Sequence, residues 1–269
     1  MKQTSVTTNG PCWVELGTSD PAAATAFYGE LFGWRPDPGA RAEAGGHTRM
    51  LLGDASAAAI TPRYAPQQPT AWTVCFAVAD ADATAARVED AGGSLRKEPT
   101  DVPDRGRFAV AADPSGAVFI LWQARAFSGA DVFNEPGSLG WVELLTRDPS
   151  GATAFYPAVF GWSVAPSEHY TQWGVDGRDF GGMLAMGEGF PPEARPHWLP
   201  YFSVGDVDNT VERAVALGAA VLMPAYSMPG GRRIAVLRDA QGAAFGVYAS
   251  GPSALDGPSG PSAADPPDA

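Results

Sequence analysis

Two carboxylates stand out because each lies two residues after a tryptophan in the same short run. Trp13-Val14-Glu15-Leu16 recurs as Trp141-Val142-Glu143-Leu144. Alternate residues of a strand share a face, so each glutamate shares the face of its tryptophan. A carboxylate desolvated beside an aromatic wall has a raised pKa and can act as a general base. Glu15 and Glu143 are therefore the candidate catalytic residues, and Trp13 and Trp141 the rings against which a ligand would lie. A glutamate so placed can equally be tied to backbone N–H groups or to an arginine and serve packing alone.

Other residues can be placed around this pair. The loops 102–107 and 228–233 precede matching strands, and Arg107 and Arg232 in them could hold an anionic or carbonyl group through the planar guanidinium fork. A solvated hairpin turn would carry the same arginines. Gly181-Gly182-Met183 stands where the first half has Ala57-Ala58-Ala59. Gly182 removes side-chain volume and Met183 adds a pliable thioether, a combination suited to a cleft that admits a bulky apolar ligand. The 3 histidines, His47, His169 and His197, do not coincide between the halves. His197 precedes a strand and is the one placed to border a cleft. Trp34, Trp72, Trp122, Trp162, Trp173 and Trp198 read as core, with two or three free to stack on a ligand ring. Neither a Gly-rich phosphate loop nor a nucleophile elbow nor a Ser/His/Asp set is readable, which disfavours nucleotide and triad chemistry.

The elements that must position these residues follow from an internal repeat. A shift of 128 carries Asp20-Pro21 onto Asp148-Pro149, Ala24–Tyr28 onto Ala152–Tyr156 and Phe32-Gly33-Trp34 onto Phe160-Gly161-Trp162. Further on the shift is 126, and Asp80, Asp113, Gly116 and Phe119 meet Asp206, Asp239, Gly242 and Phe245. Ordered matches over about 110 residues mean duplication. The copies run over 11–124 and 138–250, with 125–137 an ordered connector and 251–269 a Pro/Gly/Ser/Ala tail too poor in apolar groups to order. Within a copy, Trp13–Thr18 alternates as a strand. Asp20 then caps a helix with Pro21 at its first position, and Gly33 ends it. Pro157 falls inside the corresponding helix of the second copy and should kink or shorten it. Short strands follow near Thr48–Leu52 and Ala57–Thr61, then a strand over Thr73–Val78 and a helix from Asp80. Strands Arg107–Ala112 and Ala117–Trp122 are joined by the turn Asp113-Pro114-Ser115-Gly116. Each copy reads as βαβββ twice over, an α+β fold.

Composition narrows the setting. Of 269 residues 45% are hydrophobic, enough for two cores, and the net charge of −12 is spread without a basic cluster. Nucleic acid and anionic membrane surfaces would be repelled. Cys12 and Cys75, each in an apolar strand-like run, read as buried free thiols of a reducing cytosol. No signal-peptide core or membrane-length apolar run is present, so a cytoplasmic location is expected. High Ala, Gly and Pro suggest a GC-rich bacterial genome.

The order of elements, with a helix-opening Asp after the first strand and an Asp-Pro-x-Gly turn before the last, resembles the vicinal oxygen chelate (glyoxalase/bleomycin-resistance/dioxygenase) superfamily over nearly all of both copies. The run Asn134–Leu145 resembles the bridge of a tandem, mycobacterial glyoxalase-like antigen subgroup. The resemblance implies paired βαβββ modules curled into an open barrel around a cleft, with loops such as those of Arg107 and Arg232 near its mouth. It also implies a divalent ion held by His, Gln or Glu at four inward strand positions. Those positions fall on Trp13, Ala58–Ala59, Thr73 and Ile120, and on Trp141, Gly181–Gly182, Leu199 and Gly246. None carries a usual ligand, so no metal and no cofactor are expected. The expected function is binding of a small aromatic or hydrophobic metabolite, as in sequestration or resistance. The alternative is a metal-independent enzyme of secondary metabolism using Glu143 or Glu15 in acid/base catalysis, and a metal-dependent glyoxalase or dioxygenase ranks third. Two copies can pack as two subunits would, so a monomer suffices, with a homodimer left open. The second, roomier cleft is the better candidate.

Overall fold

The computed structural model describes residues 6–39, 46–65, 67–228 and 231–249. The expected tail from 251 onward lies outside the described residues, as do Ser250, Pro229 and Gly230. In chain order the first copy has β1 (Pro11–Thr18), α1 (Pro21–Phe32), β2 (Trp34–Pro36), β3 (Thr48–Leu52) and β4 (Ala55–Pro62). A second module follows as β5 (Ala71–Ala77), α2 (Ala81–Asp90), β6 (Ser94–Val102), β7 (Gly106–Ala112) and β8 (Val118–Ala124). The second copy repeats this order. Its first module is β9 (Leu139–Thr146), α3 (Pro149–Phe160), β10 (Ser163–Pro166), β11 (Thr171–Val175) and β12 (Arg178–Ala185). Its second is β13 (His197–Ser203), α4 (Val207–Ala216), β14 (Ala220–Ser227), β15 (Arg233–Arg238) and β16 (Ala244–Ala249).

Each copy forms one eight-stranded mixed sheet, ordered β2-β3-β4-β1-β5-β8-β7-β6 and β10-β11-β12-β9-β13-β16-β15-β14. The two βαβββ modules of a copy meet where β1 pairs antiparallel with β5, and β9 with β13. Neither sheet closes into a barrel, so each is the open, curled arrangement that the family resemblance implies. The edge strand β6 was not legible as a strand. It carries Arg96, Lys97 and Glu98 in succession, and its pairing with β7 is interrupted by two register shifts.

Capping follows the expected chemistry. Asp20 Oδ1 accepts from the Ala23 N–H at 3.0 Å and Asp148 Oδ1 from the Gly151 N–H at 2.9 Å, each ahead of a proline at the first helical position. Gly33 and Gly161 end these helices in the left-handed region, at φ 75° and 73°. The expected break at Pro157 does not occur, since α3 spans the same twelve residues as α1. Burial of Phe155, Tyr156, Val159 and Phe160 outweighs the roughly 3 kcal/mol that an interior proline costs.

One apolar core joins the copies, and the helices pack into it. Phe76 on β5 packs on Trp198 of β13 with centroids 5.2 Å apart, and Trp72 on Phe202 at 5.3 Å. The helices cross between copies. Tyr28 of α1 meets Phe245 of β16 at 5.5 Å, and Tyr156 of α3 meets Phe119 of β8 at 6.0 Å. The opposite, concave face of each sheet holds the functional candidates. The segment 125–137 is tied to both copies, the Ala130 N–H donating to Cys12 O and the Gly137 N–H to Ser203 O.

Candidate functional site

Strand alternation turns Trp13 and Glu15 to the concave side while Val14 and Leu16 enter the core. In the register of the sheet Trp13 is opposite Cys75, and Glu15 opposite Thr73 on one side and Ala59 on the other. A cavity of about 280 Å³ lies over them, walled by Phe108, Val110, Ile120, Trp122 and Phe127, with His47, Tyr64 and Arg105 at its polar edge. The Tyr64 hydroxyl donates to Glu15 Oε1 at 2.8 Å, and His47 Nε2 is 3.6 Å from Glu15 Oε2. Burial pushes the Cys75 thiol well above its ordinary range, which leaves it inert.

The second copy builds the same place with different side chains. Here Tyr201 stands opposite Trp141, where the first copy has Cys75, and Gly182 and Leu199 flank Glu143. Glu143 is 9% exposed. It accepts from the Tyr201 hydroxyl at 3.0 Å and from the Tyr170 hydroxyl, which in turn accepts from Trp141 Nε1 at 2.9 Å. Burial raises the Glu143 pKa above its ordinary value, and the two tyrosine hydrogen bonds pull it back. Burial, then the charge of Glu143, pushes Tyr170 and Tyr201 upward, so both remain donors. The cavity over this group holds about 310 Å³ and is closed by Trp141, Gln172, Met228, Arg232, Ile234 and Tyr248.

Three glycines make room for the three tyrosines. A Cβ at Gly182 would run into the Tyr170 ring, one at Gly246 into Tyr201, and one at Gly140 into the Tyr248 hydroxyl. This corrects two expectations. Gly182 does not enlarge the cleft, because Tyr170 fills the vacated volume, and the two cavities are of similar size. The strand register also matches Gly182 to Ala59 rather than Ala58, since these residues oppose Glu143 and Glu15. Met183, 3% exposed, sits beside Leu144 on the core side of the sheet and does not face Glu143.

The arginines sort differently from their predicted pairing. Arg107 grips Asp82 through two hydrogen bonds of 2.7 and 2.8 Å, and Arg233 grips Asp208 in the same way, both at 2.6 Å. Arg107 is thus the counterpart of Arg233 and ties its strand to the preceding helix. Arg232, whose counterpart is Gly106, stands in the second cleft over the Trp141 and Tyr248 rings. His197 lies at the start of β13, its Nδ1 2.8 Å from Arg195 O, and does not line the cavity over Glu143. The structure therefore brings Glu143, Trp141, Gly182 and Arg232 together, and Glu15 with Trp13, and leaves out Met183, His197 and Arg107. Sequence reasoning did not find Tyr170, Tyr201, Tyr248, Tyr64 or Phe127. Tyr201 and Leu199 alternate on β13, a signal that a search for tyrosines as well as metal ligands would have caught.

Residues 11–121 match the Glyoxalase/Bleomycin resistance protein/Dioxygenase superfamily and residues 141–248 the Glyoxalase-like domain. The protein belongs to this superfamily as a tandem-domain member. It is 41% identical over 276 residues to the anthracycline biosynthesis protein DauV of Streptomyces sp. (strain C5), covering 93% of this chain and 97% of that one. It is 39% identical to the putative glyoxylase CFP32 of Mycobacterium tuberculosis, covering 90% and 95%. Among solved structures, the Mn(II)-bound glyoxalase of Novosphingobium aromaticivorans superposes with a TM-score of 0.66 at 16% identity, covering 91% of this chain and 83% of that one. The 2,3-dioxygenase LapB of Pseudomonas sp. KL28 does so at 0.66 and 14%, covering 94% and 96%. These two share the fold.

The superfamily implies a divalent ion in the cleft, and the donors present do not fit one. The second cleft offers Glu143 with two tyrosines and no imidazole, and the first offers Glu15 with His47. Among the described residues no three His, Cys, Asp or Glu side chains converge. Among the described residues no helix is long and apolar enough to cross a membrane.

Proposed function

We propose that the protein binds a planar aromatic metabolite in the cleft of its second copy and holds it without transforming it. The observation that carries this is Glu143, buried in an aromatic-walled cavity of about 310 Å³ with its carboxylate already taken up by Tyr201 and Tyr170. A carboxylate so engaged is a fixed polar floor rather than a free base, and buried polar networks that satisfy themselves rigidify a site. Trp141, Tyr248 and Ile234 supply faces for a ring, in the manner of concave sites with a few placed polar groups. DauV and the anthracycline biosynthesis protein DnrV of Streptomyces peucetius, 40% identical over 261 residues, carry a class of fused-ring aromatic compound in their names. These relatives support the reading of a role in secondary metabolism for this chain, which we take to be that of a sequestering or carrier protein. Joined copies sharing one core support a monomer, and we place its action in the cytoplasm.

The raised pKa of Glu143 favours a second reading, acid/base catalysis on the bound ligand. A panel of fused-ring aromatics screened by thermal shift, with each hit then followed for turnover, separates the two. Binding predicts hits recovered unchanged. Consumption of a hit by the wild type and not by Glu143→Gln would establish the enzyme instead.

A further inference from the structure

The Arg232 guanidinium lies 5.3 Å from the Trp141 ring centroid and 5.4 Å from that of Tyr248. A guanidinium resting on aromatic faces keeps its in-plane N–H donors for other partners, and their fork matches a carboxylate. Its neighbour Arg233 is held by Asp208, whereas among the described residues no carboxylate pairs with Arg232. Trp141, Arg232 and Tyr248 also border two spaces at once. One is the cleft over Glu143, and the other is an adjoining cavity of about 320 Å³ that reaches Asn134, Arg178 and Asp179. Arg178 and Asp179 enter that cavity as adjacent opposite charges, which leaves the charge of Arg232 uncompensated at the junction. Its field reaches the tyrosines, opposing the upward push of burial on Tyr248 and Tyr170.

We infer that Arg232 is an anion-binding residue and that the ligand of the second cleft is an aromatic carboxylate, its ring over Trp141 and its carboxylate on Arg232. The inference rests on the aromatic-binding role proposed above and names the chemical class that role takes. Glu143 at the floor and Arg232 at the rim set the orientation, because a ligand carboxylate turned inward would meet a like charge. The first copy has Gly106 at this position and its Arg105 lies over the single ring of Phe127, so the seat between two rings belongs to the second cleft.

Calorimetric titration of the full chain with naphthalene-2-carboxylate and the neutral naphthalene-2-carboxamide tests the assignment. A hydrogen-bonded ion pair predicts about tenfold tighter binding of the carboxylate. In Arg232→Gln the two probes should bind within about twofold of each other. Arg232→Lys, which keeps the charge and loses the fork, should retain part of the preference, and Arg35→Gln, at a surface arginine that pairs with Asp54 away from both clefts, should retain all of it. Arg232 is exposed, and a melting curve checks that its variants fold. Equal binding of both probes to the wild type, or a preference that survives Arg232→Gln, would overturn the anion site and leave aromatic binding standing. Binding of neither probe would overturn both.

Discussion

The Tyr28 hydroxyl donates to Asp239 Oδ2 at 2.9 Å across 211 residues of chain, and Tyr156 repeats the contact with Asp113 at 3.0 Å. Each hydroxyl also accepts from a buried indole, Trp72 Nε1 and Trp198 Nε1, both at 3.0 Å. The Asp-Pro-x-Gly turn and its counterpart Asp239-Ala240-Gln241-Gly242 are thus the sockets into which the other copy's helix plugs. A Trp–Tyr–Asp relay runs in each direction through the shared core. Clefts carried on sheets joined in this way are held in fixed relation to one another.

Removing one hydroxyl should therefore be felt by the whole protein. Tyr28→Phe leaves Trp72 Nε1 without its acceptor and Asp239 Oδ2 without its donor, a cost of about 1–3 kcal/mol. Tyr156→Phe should cost a similar amount. Chemical denaturation of both variants reads this directly. Wild-type stability in both would mean that the relays do not hold the copies together.

Gly182→Ala should destabilise by about 1–3 kcal/mol, since its methyl group must displace the Tyr170 ring. Displacing Tyr170 also strips a donor from Glu143, so affinity for an aromatic ligand should fall together with stability. A variant that melts normally and binds normally would show that the glycine makes no room for Tyr170.

Glu143 sets a pH dependence of definite sign. Its folded pKa lies above the ordinary 4.5, so in the window between these values the folded state binds more protons than the unfolded. Stability contributed by Glu143 is thus fully present below 4.5 and is lost as pH rises through the folded pKa. Glu143→Gln removes this titration, and its stability relative to wild type should climb as pH rises from about 4.5 and then level off. Denaturation midpoints of the two proteins across this range check it. A constant difference would mean that burial does not perturb Glu143.

Pro157→Ala should stabilise the protein. It restores an N–H inside a helix that already runs its full twelve residues, offset in part by the freer unfolded chain. A net gain of about 1–2 kcal/mol would raise the melting temperature by a few degrees. A lower melting temperature would show that the proline is needed where it stands.

The scaffold was legible because duplication prints the same local chemistry twice. Asp20 and Asp148 announce helices on their own, and Trp13-Val14-Glu15-Leu16 announces a strand. The edge strand β6 was illegible, because it is largely exposed and its Arg96-Lys97-Glu98 run shows no alternation. The site was legible in its floor and not in its surroundings. Glu143 is visible from its repeat, but Tyr170 and Tyr201 reach it from strands that only the folded register brings together. Gly182 reads as lost volume until the ring that takes the volume is seen. A misalignment of one residue was enough to couple Arg107 with Arg232, which do different things. Pro157 reads as a helix break because local helix chemistry carries no trace of the burial of Tyr156 and Phe160 that holds α3 together.

The most direct test of the account is a fluorescence or calorimetric titration of one aromatic ligand against the wild type, Trp141→Ala and Trp13→Ala. Binding in the second cleft predicts that Trp141→Ala weakens affinity about tenfold or more while Trp13→Ala stays close to wild type. Undiminished binding by Trp141→Ala would contradict it.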